Sequence, residues 1–246
     1  MLWALFADVH ANLEALEACL EDARGRGAQR FAFLGDLVGY GADPGPVTEI
    51  AMGLAAKGAL SVKGNHDQAI EGSAAYLNET ARAAIEWTRS NLEPRHRDYL
   101  AQLPLVAREE PICLVHASAD APHRWTYVDS AAAAWRSAQA ANAVYTFCGH
   151  VHDQGLYFER PGGGMGAFRP TPGTAIPVGR HRRWLAIAGS VGQPRDGNPA
   201  AAYAMFDAAS EAITFHRVPY DNMAAAAKIE RSALPAHLAY RVRKGI

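Results

Sequence analysis

The chain has little with which to staple, anchor or electrostatically steer itself. Among its 246 residues are only three cysteines, Cys19, Cys113 and Cys148. They follow no metal-ligand spacing, and their odd number leaves at least one unpaired within the chain. Cys113 lies in one apolar run and Cys148 ends another, so the cysteines read as small buried hydrophobes rather than a disulfide framework. No run approaches the roughly 20 apolar residues a membrane span needs. Residues 1–7 are too short for a signal-peptide core and meet the charged Asp8 at once, so a reducing cytoplasm is the expected location. An excess of either charge is also missing. Twenty-four Lys+Arg stand against 25 Asp+Glu, for a formal net charge of −1. Duplex nucleic-acid binders normally carry a clear positive excess. A small, charge-dense substrate gripped locally is the expected partner instead. The glycine-rich stretch from Gly162 to Gly166 lacks the Gly-Lys-Ser/Thr of a phosphate-binding loop and reads as a hairpin turn.

What is present is ordinary globular material. The hydrophobic share is 49%, and a chain of this length buries most of its apolar surface unaided. No repeat and no Pro-, Ser- or charge-rich linker divides it, so one domain over residues 1–246 is expected. Short apolar runs at residues 2–6, 31–34, 59–62, 112–115 and 144–147 read as buried strands. Amphipathic stretches lie between them. Asn12 can cap a helix carrying Leu13, Leu16 and Leu20, which Gly25 and Gly27 would stop. Further helices are expected from Pro46 to Lys57, over 78–92, over 95–103 and from about Ser130. This alternation predicts parallel strand pairing with helical crossovers. After His152, runs at 156–158, 184–188, 203–206 and 213–218 read as antiparallel strands, and helices over 223–231 and 236–243 close the chain.

Five polar clusters directly follow apolar runs: Asp8-Val9-His10, Gly35-Asp36, Gly64-Asn65-His66-Asp67, His116, and Gly149-His150-Val151-His152. Taken singly, each is ordinary: an Asp-x-His in a solvated loop, a Gly-Asp turn, a helix cap, a core histidine. Parallel strands, however, share one carboxyl edge where ligand crevices form, so clusters spread from Asp8 to His152 would meet there. That gathers Asp8, His10, Asp36, Asn65, His116, His150 and His152. Imidazole and oxygen donors together suit a borderline transition metal. Seven groups exceed the needs of one four- or five-coordinate ion, whereas two ions about 3.5–4 Å apart, bridged by a carboxylate, would use them all. In Asp8-x-His10 and His150-x-His152, an extended backbone would aim both side chains to one side. The glycines before Asp36, Asn65 and His150 would let the chain turn.

In identity and order, these five clusters resemble the signature of the calcineurin-like metallophosphoesterases. The resemblance implies a four-layer α/β/β/α sandwich of two mixed β-sheets flanked by helices, holding a dinuclear centre. By motif position, Asp8, His10 and His152 would bind one ion; Asn65, His116 and His150 would bind the other; Asp36 would bridge. The stretches from Gly35 to Gly41 and from Gly189 to Arg195 are similar to the compact prokaryotic phosphodiesterase-type branch. The protein phosphatases have an Asp-Arg pair where this chain reads Gly39-Tyr40, which removes a phosphate-gripping arginine. Arg195 is the candidate replacement, since a guanidinium binds phosphate bidentately.

The implied reaction is in-line attack by a metal-bridging hydroxide on a small phosphoester, most readily a phosphodiester. Manganese is the first choice of ion, with Fe, Zn, Ni or Co as alternatives. Phosphomonoesters or dinucleoside polyphosphates are alternative substrates for the same site. A non-catalytic protein-binding scaffold, as in a retromer subunit of this fold, is a third reading, which the complete ligand set disfavours. His66, adjacent to a ligand but not needed as one, is the expected general acid, with Asp67 or an acidic neighbour in the fold orienting its imidazole. Asn65, Arg195 and His123 are the expected substrate contacts, with Trp125 and Tyr127 able to line the pocket. Asn12 is read as a cap, and His96, His181, His216 and His237 as structural or surface residues.

Overall fold

The computed structural model of the chain describes residues 1–75 and 77–246. In chain order its first half comprises β1 (Leu2–Phe6), α1 (Leu13–Gly25), β2 (Arg30–Phe33), α2 (Pro44–Ala55), β3 (Leu60–Ser61), α3 (Asn65–Glu71), α4 (Glu79–Ser90), α5 (Pro94–Gln102), β4 (Val106–Glu109) and β5 (Ile112–Val115). A 3-10 turn at Pro122–Arg124 precedes α6 (Ala131–Ala141) and β6 (Tyr145–Cys148). Then follow β7 (Gln154–Glu159), β8 (Met165–Phe168), β9 (Ala175–Pro177), β10 (Trp184–Ala188), β11 (Ala201–Asp207), β12 (Ala212–Val218), α7 (Asn222–Arg231) and α8 (His237–Lys244).

Among the described residues the strands form two six-stranded sheets, ordered β3-β2-β1-β11-β12-β9 and β4-β5-β6-β10-β7-β8. Period-two alternation tells why they stack. Trp3 and Leu5 face a core shared with Leu114, Tyr145, Phe147, Phe206 and Phe215 between the sheets. Ala4 and Phe6 point the other way, onto Leu16, Cys19 and Leu20 of α1 and Val47 and Ala51 of α2. On the far face of the second sheet, Val115, Cys148, Leu185 and Ile187 pack against Ala134 and Ala138 of α6. The result is the expected α/β/β/α layering, with both sheets mixed. Asn12 caps α1 by accepting from the Ala15 amide at 3.2 Å. All three cysteines are free and buried. No helix among the described residues is long and apolar enough to cross a membrane.

The pairing departs from expectation in instructive places. Parallel ladders run β3-β2-β1 and β5-β6-β10. The run at 184–188, expected to be purely antiparallel, pairs in parallel with β6 and antiparallel only with β7. Its apolar sequence suits a central strand with neighbours of either sense. β4 was not anticipated: Val-Ala-Arg-Glu lacks an apolar run because it is a half-exposed edge strand. Gly64 is the N-cap of helix α3, and α2 starts at Pro44, not Pro46.

Candidate metal centre

The clusters converge where the carboxyl ends of β1, β2 and β3 in one sheet meet those of β5 and β6 in the other. Their loops are bound to one another. Asp8 N donates to Gly35 O (3.1 Å), His10 N to Asp36 O (2.9 Å) and Ala11 N to Leu37 O (2.9 Å). The loop after β10 clasps the same segment, with Val191 N on Ala7 O (2.9 Å) and Gly192 N and Ser190 Oγ on Asp8 O (3.0 and 2.8 Å).

The side chains share one site for a different reason than extended i, i+2 geometry. Asp8, His10, Asp36, His150 and His152 all have left-handed backbone, with φ of 52°, 48°, 54°, 67° and 71°. L-residues enter that region at a cost of roughly 1–2 kcal/mol each, and such outliers persist where surrounding bonds over-determine them. Gly35, at φ +88°, turns as expected. Gly64 does not: its φ is −99°, and a β-carbon there would overlap the Asp36 amide and Oδ1. At Gly149 a β-carbon would lie 2.6 Å from Asp8 Oδ2. These two glycines permit close approach rather than a turn.

The structure brings all seven expected ligands together, each buried to 7% exposure or less. Ligand atoms of Asp8, His10 and His152 lie within 4.8 Å of one another, as do those of Asp36, His116 and His150, and those of His10, Asp36 and His66. Asp36 Oδ2 stands between the first two groups, 3.8 Å from His10 Nε2 and 3.4 Å from His116 Nε2. Asn65 Oδ1 is 3.1 Å from His116 Nε2.

The imidazole tautomers test whether a cation fits. His10 Nδ1 donates to Val38 O (3.3 Å) and His152 Nδ1 to Gln193 O (2.6 Å). Each Nε2 then carries a lone pair, yet the two Nε2 atoms face each other at 3.2 Å. His116 Nδ1 donates to Leu34 O (2.8 Å), and its Nε2 is 3.0 Å from His150 Nδ1. Backbone carbonyls that set the tautomer and turn the remaining lone pairs onto a common point are the outer-shell arrangement of metal-binding histidines. The donor set therefore fits divalent cations.

Burial dominates the electrostatics. It lowers His10 and His152 well below 6.5 and His150 to about 3, and it raises Asp8 to about 7. Burial would also raise Asp36, but His116, His66 and His10 outweigh it and hold the carboxyl well below the usual range. His116 is the counterpart: burial opposes its proton, yet Asp36 beside it lifts the imidazole to about 9.

The other expected site residues divide. Arg195 lines a cavity of about 290 Å³ above the cluster, with Asp36, Asn65, His66, His150 and His152. Trp125 and Tyr127 line it too; Tyr127 stacks on His150 with centroids 4.1 Å apart. His123 is exposed and is not among the lining residues; the 3-10 turn presents Arg124 to the cavity instead. Asp67 does not meet the His66 ring. Its Oδ1 accepts from the Leu37 and Val38 amides (2.9 and 3.3 Å) and its Oδ2 from Gly64 N (2.9 Å), so it holds the Asp36 loop. Tyr40, which sequence reasoning passed over, packs against both His10 and His66. Its signal was an aromatic between two glycines just after Asp36.

Asp67→Ala leaves three buried amides without their acceptor. Unfolding free energy is expected to fall by about 2–4 kcal/mol. Urea denaturation of metal-free protein at pH 8 checks this, because burial and then Asp36 raise the carboxyl to about 7, and it is ionised there. Unchanged stability would mean that the amides find other partners.

Known proteins resemble this chain along its length. The calcineurin-like phosphoesterase superfamily domain matches residues 1–211. An uncharacterized protein of Methanocaldococcus jannaschii is 34% identical over 253 residues, covering 98% of this chain and 97% of the relative. The crystal structure of a metallophosphoesterase from Sphaerobacter thermophilus superposes with TM-score 0.90 at 35% identity, covering 100% of this chain and 99% of that one. A hypothetical protein from Pyrococcus horikoshii shares the fold at TM-score 0.77 and 19% identity, with 100% and 98% covered. With the family's fold, its ordered clusters and a buried His/Asp constellation able to hold metal, the chain belongs to the calcineurin-like phosphoesterase superfamily.

Proposed function

We propose that the protein is a dinuclear metal-dependent phosphoesterase acting on small phosphodiesters. One observation carries the reading: buried imidazole ring nitrogens face one another in two groups, with the Asp36 carboxylate beside both, at the base of an open cavity lined by Arg195. Asp8, His10 and His152 would hold one ion, and Asn65, His116 and His150 the other. Asp36 would be shared. Two divalent ions, manganese first among Mn, Fe, Zn, Ni and Co, would supply Lewis acidity and a nucleophilic water at neutral pH.

The chain's own residues do the rest. Arg195, whose Nε is buried without a partner among the described residues, grips a non-bridging phosphoryl oxygen. The aromatic faces of Trp125 and Tyr127 confine the ester group. His66, on the cavity wall, gives its proton to the leaving oxygen. Burial lowers the His66 pKa, which makes its imidazolium a stronger donor but a scarcer one. An arriving anionic ester offsets that scarcity by favouring the charged ring.

A second reading keeps the site and changes the substrate to a phosphomonoester or a dinucleoside polyphosphate. Arg124 favours it, because a second guanidinium on the wall suits a substrate with more than one negative charge. Cytoplasmic residence accords with either reading.

The test is a panel of mono- and diesters assayed with each ion after metal analysis of protein purified without chelator. His66→Ala is expected to retain both ions and to lose about 10²- to 10⁴-fold in turnover on esters with poor leaving groups. Loss of an ion in that variant would make His66 a ligand, as its proximity to His10 and Asp36 permits. No hydrolysis with any ion would return the scaffold reading.

A further inference from the structure

We infer that Tyr40 is the positioning residue for the His66 imidazole, and that it works by packing, backed by the C-terminal helices α7 and α8. This rests on His66 being the proton donor. A donor imidazole must be held in one orientation, which most such sites achieve with a hydrogen bond to the other ring nitrogen. Here that bond is missing: among the described residues nothing pairs with the buried His66 Nδ1, and the neighbouring carboxylate of Asp67 is committed to backbone amides.

Contacts take the place of the bond. The Tyr40 ring lies 4.4 Å from the His66 ring, centroid to centroid, and His10 meets His66 edge-on at 4.9 Å. On the Nδ1 side the chain passes at Gly39, where a β-carbon would overlap Nδ1 and lie 3.1 Å from Cγ. Tyr40 is also 4.6 Å from the His10 ring, but that ring is fixed separately by its Nδ1 bond to Val38 O.

The backbone that aims Tyr40 is unusual. Its φ is +68°, next to Gly39 at +90°, and Gly41 N donates to His10 O at 2.9 Å. A bulky aromatic seldom adopts left-handed backbone, and such an outlier persists only where the surroundings hold it. Tyr40 lines the cavity beside His66 and Arg195, and it is backed by an apolar cluster of Ala81 and Ala84 of α4, Ala225, Ala226 and Ile229 of α7, and Leu238, Ala239 and Val242 of α8. Helices α7 and α8 lie beyond residue 211, where the family match ends. The chain past the matched region, together with α4, thus supplies the wall that braces Tyr40 over His66.

Tyr40→Phe, Tyr40→Leu and Tyr40→Ala test this in two measurements. In metal-free protein labelled at histidine, the His66 ring is expected to give one sharp set of NMR resonances in wild type and Tyr40→Phe. It should shift and broaden in the other two variants. In metal-loaded protein, Tyr40→Ala and Tyr40→Leu should lose about 10- to 100-fold in kcat on an alkyl phosphodiester, with KM within about threefold. On bis-p-nitrophenyl phosphate, whose leaving group needs no proton, the loss should stay within about threefold, and Tyr40→Phe should match wild type on both. Tyr40→Leu keeps apolar volume against α7 and α8, so it serves if the alanine variant does not fold. Equal losses on the two esters, or His66 resonances unmoved in Tyr40→Leu, would overturn the inference. Wild-type protein inactive on both esters would instead sink the phosphoesterase reading, while the metal-free spectra still decide whether Tyr40 holds His66.

Discussion

Replacing Asp36 with alanine is expected to cripple phosphoester hydrolysis and to deplete the metal centre together. Asp36 Oδ2 faces His10 on one side and His116 on the other, so its loss removes the anion that both halves of the proposed centre would share. Its Oδ1 also accepts from His66 N at 2.8 Å, tying the start of α3 to the same carboxylate. Forfeiting most of the metal contribution to transition-state stabilisation, about 4–5 kcal/mol, corresponds to about 10³- to 10⁴-fold in rate. Metal analysis should find the ion content reduced from the proposed two to one or none. Two ions retained would remove Asp36 from the bridging position. Metal-free protein provides a second check. Without Asp36, the charge that lifts His116 to about 9 is gone, and its imidazole should titrate far lower by NMR.

Metal affinity should rise steeply with pH, and the sign follows from the same pair. To ligate, His116 must give up a proton that it holds in the metal-free protein up to about pH 9, and Asp8 one that it holds up to about 7. Between pH 7 and 9, one proton is displaced, so apparent manganese affinity is expected to increase about tenfold per pH unit. Below 7 the Asp8 proton adds to the slope. Stability of the metal-free fold should move the opposite way. The folded pKa of His116 exceeds its unfolded value, so its stabilisation is fully present below pH 6.5 and is lost as pH climbs through about 9. The shift amounts to about 3 kcal/mol, counted once for the Asp36–His116 pair. Burial of Asp8 acts in the same direction over a lower range, from 3.8 to about 7. Denaturant unfolding with chelator and with excess manganese, at pH 6.5, 7.5 and 8.5, would show the gap between the two forms widening. A constant gap would mean that neither proton is displaced.

Particular residues mark how far the amino-acid sequence alone discloses the fold and the site. Strands β1 and β5 were legible to the residue, because short apolar runs bounded by polar clusters leave little choice of boundary. So was the cap at Asn12, whose oxygen meets an amide three residues ahead. β4 was not legible, since an edge strand with one face in solvent needs no apolar pattern. Asp67 illustrates a different limit. A carboxylate beside a histidine suggests a pair, but α3 turns the Asp67 side chain away from the His66 ring and toward the amides of residues 37, 38 and 64. His123 and Arg124 differ by one position on a tight 3-10 turn, and a single residue of rotation there chooses which one meets the cavity.

Sequence by itself determined which chemical groups are available and that they follow strand ends, because residue identity and local periodicity are written along the chain. That sufficed for the alternation of strands and helices and for the set of seven metal-type side chains, whereas the four-layer arrangement was implied only by the resemblance to a known family. Tertiary structure alone decided where the lone pairs point, which carbonyl sets each imidazole tautomer, and that Tyr40 rather than Asp67 stands against His66. Those relations join positions up to 142 residues apart, as between His10 and His152. Orientation at such separation depends on the packing of two sheets and on left-handed turns held by neighbouring loops, which no local pattern encodes.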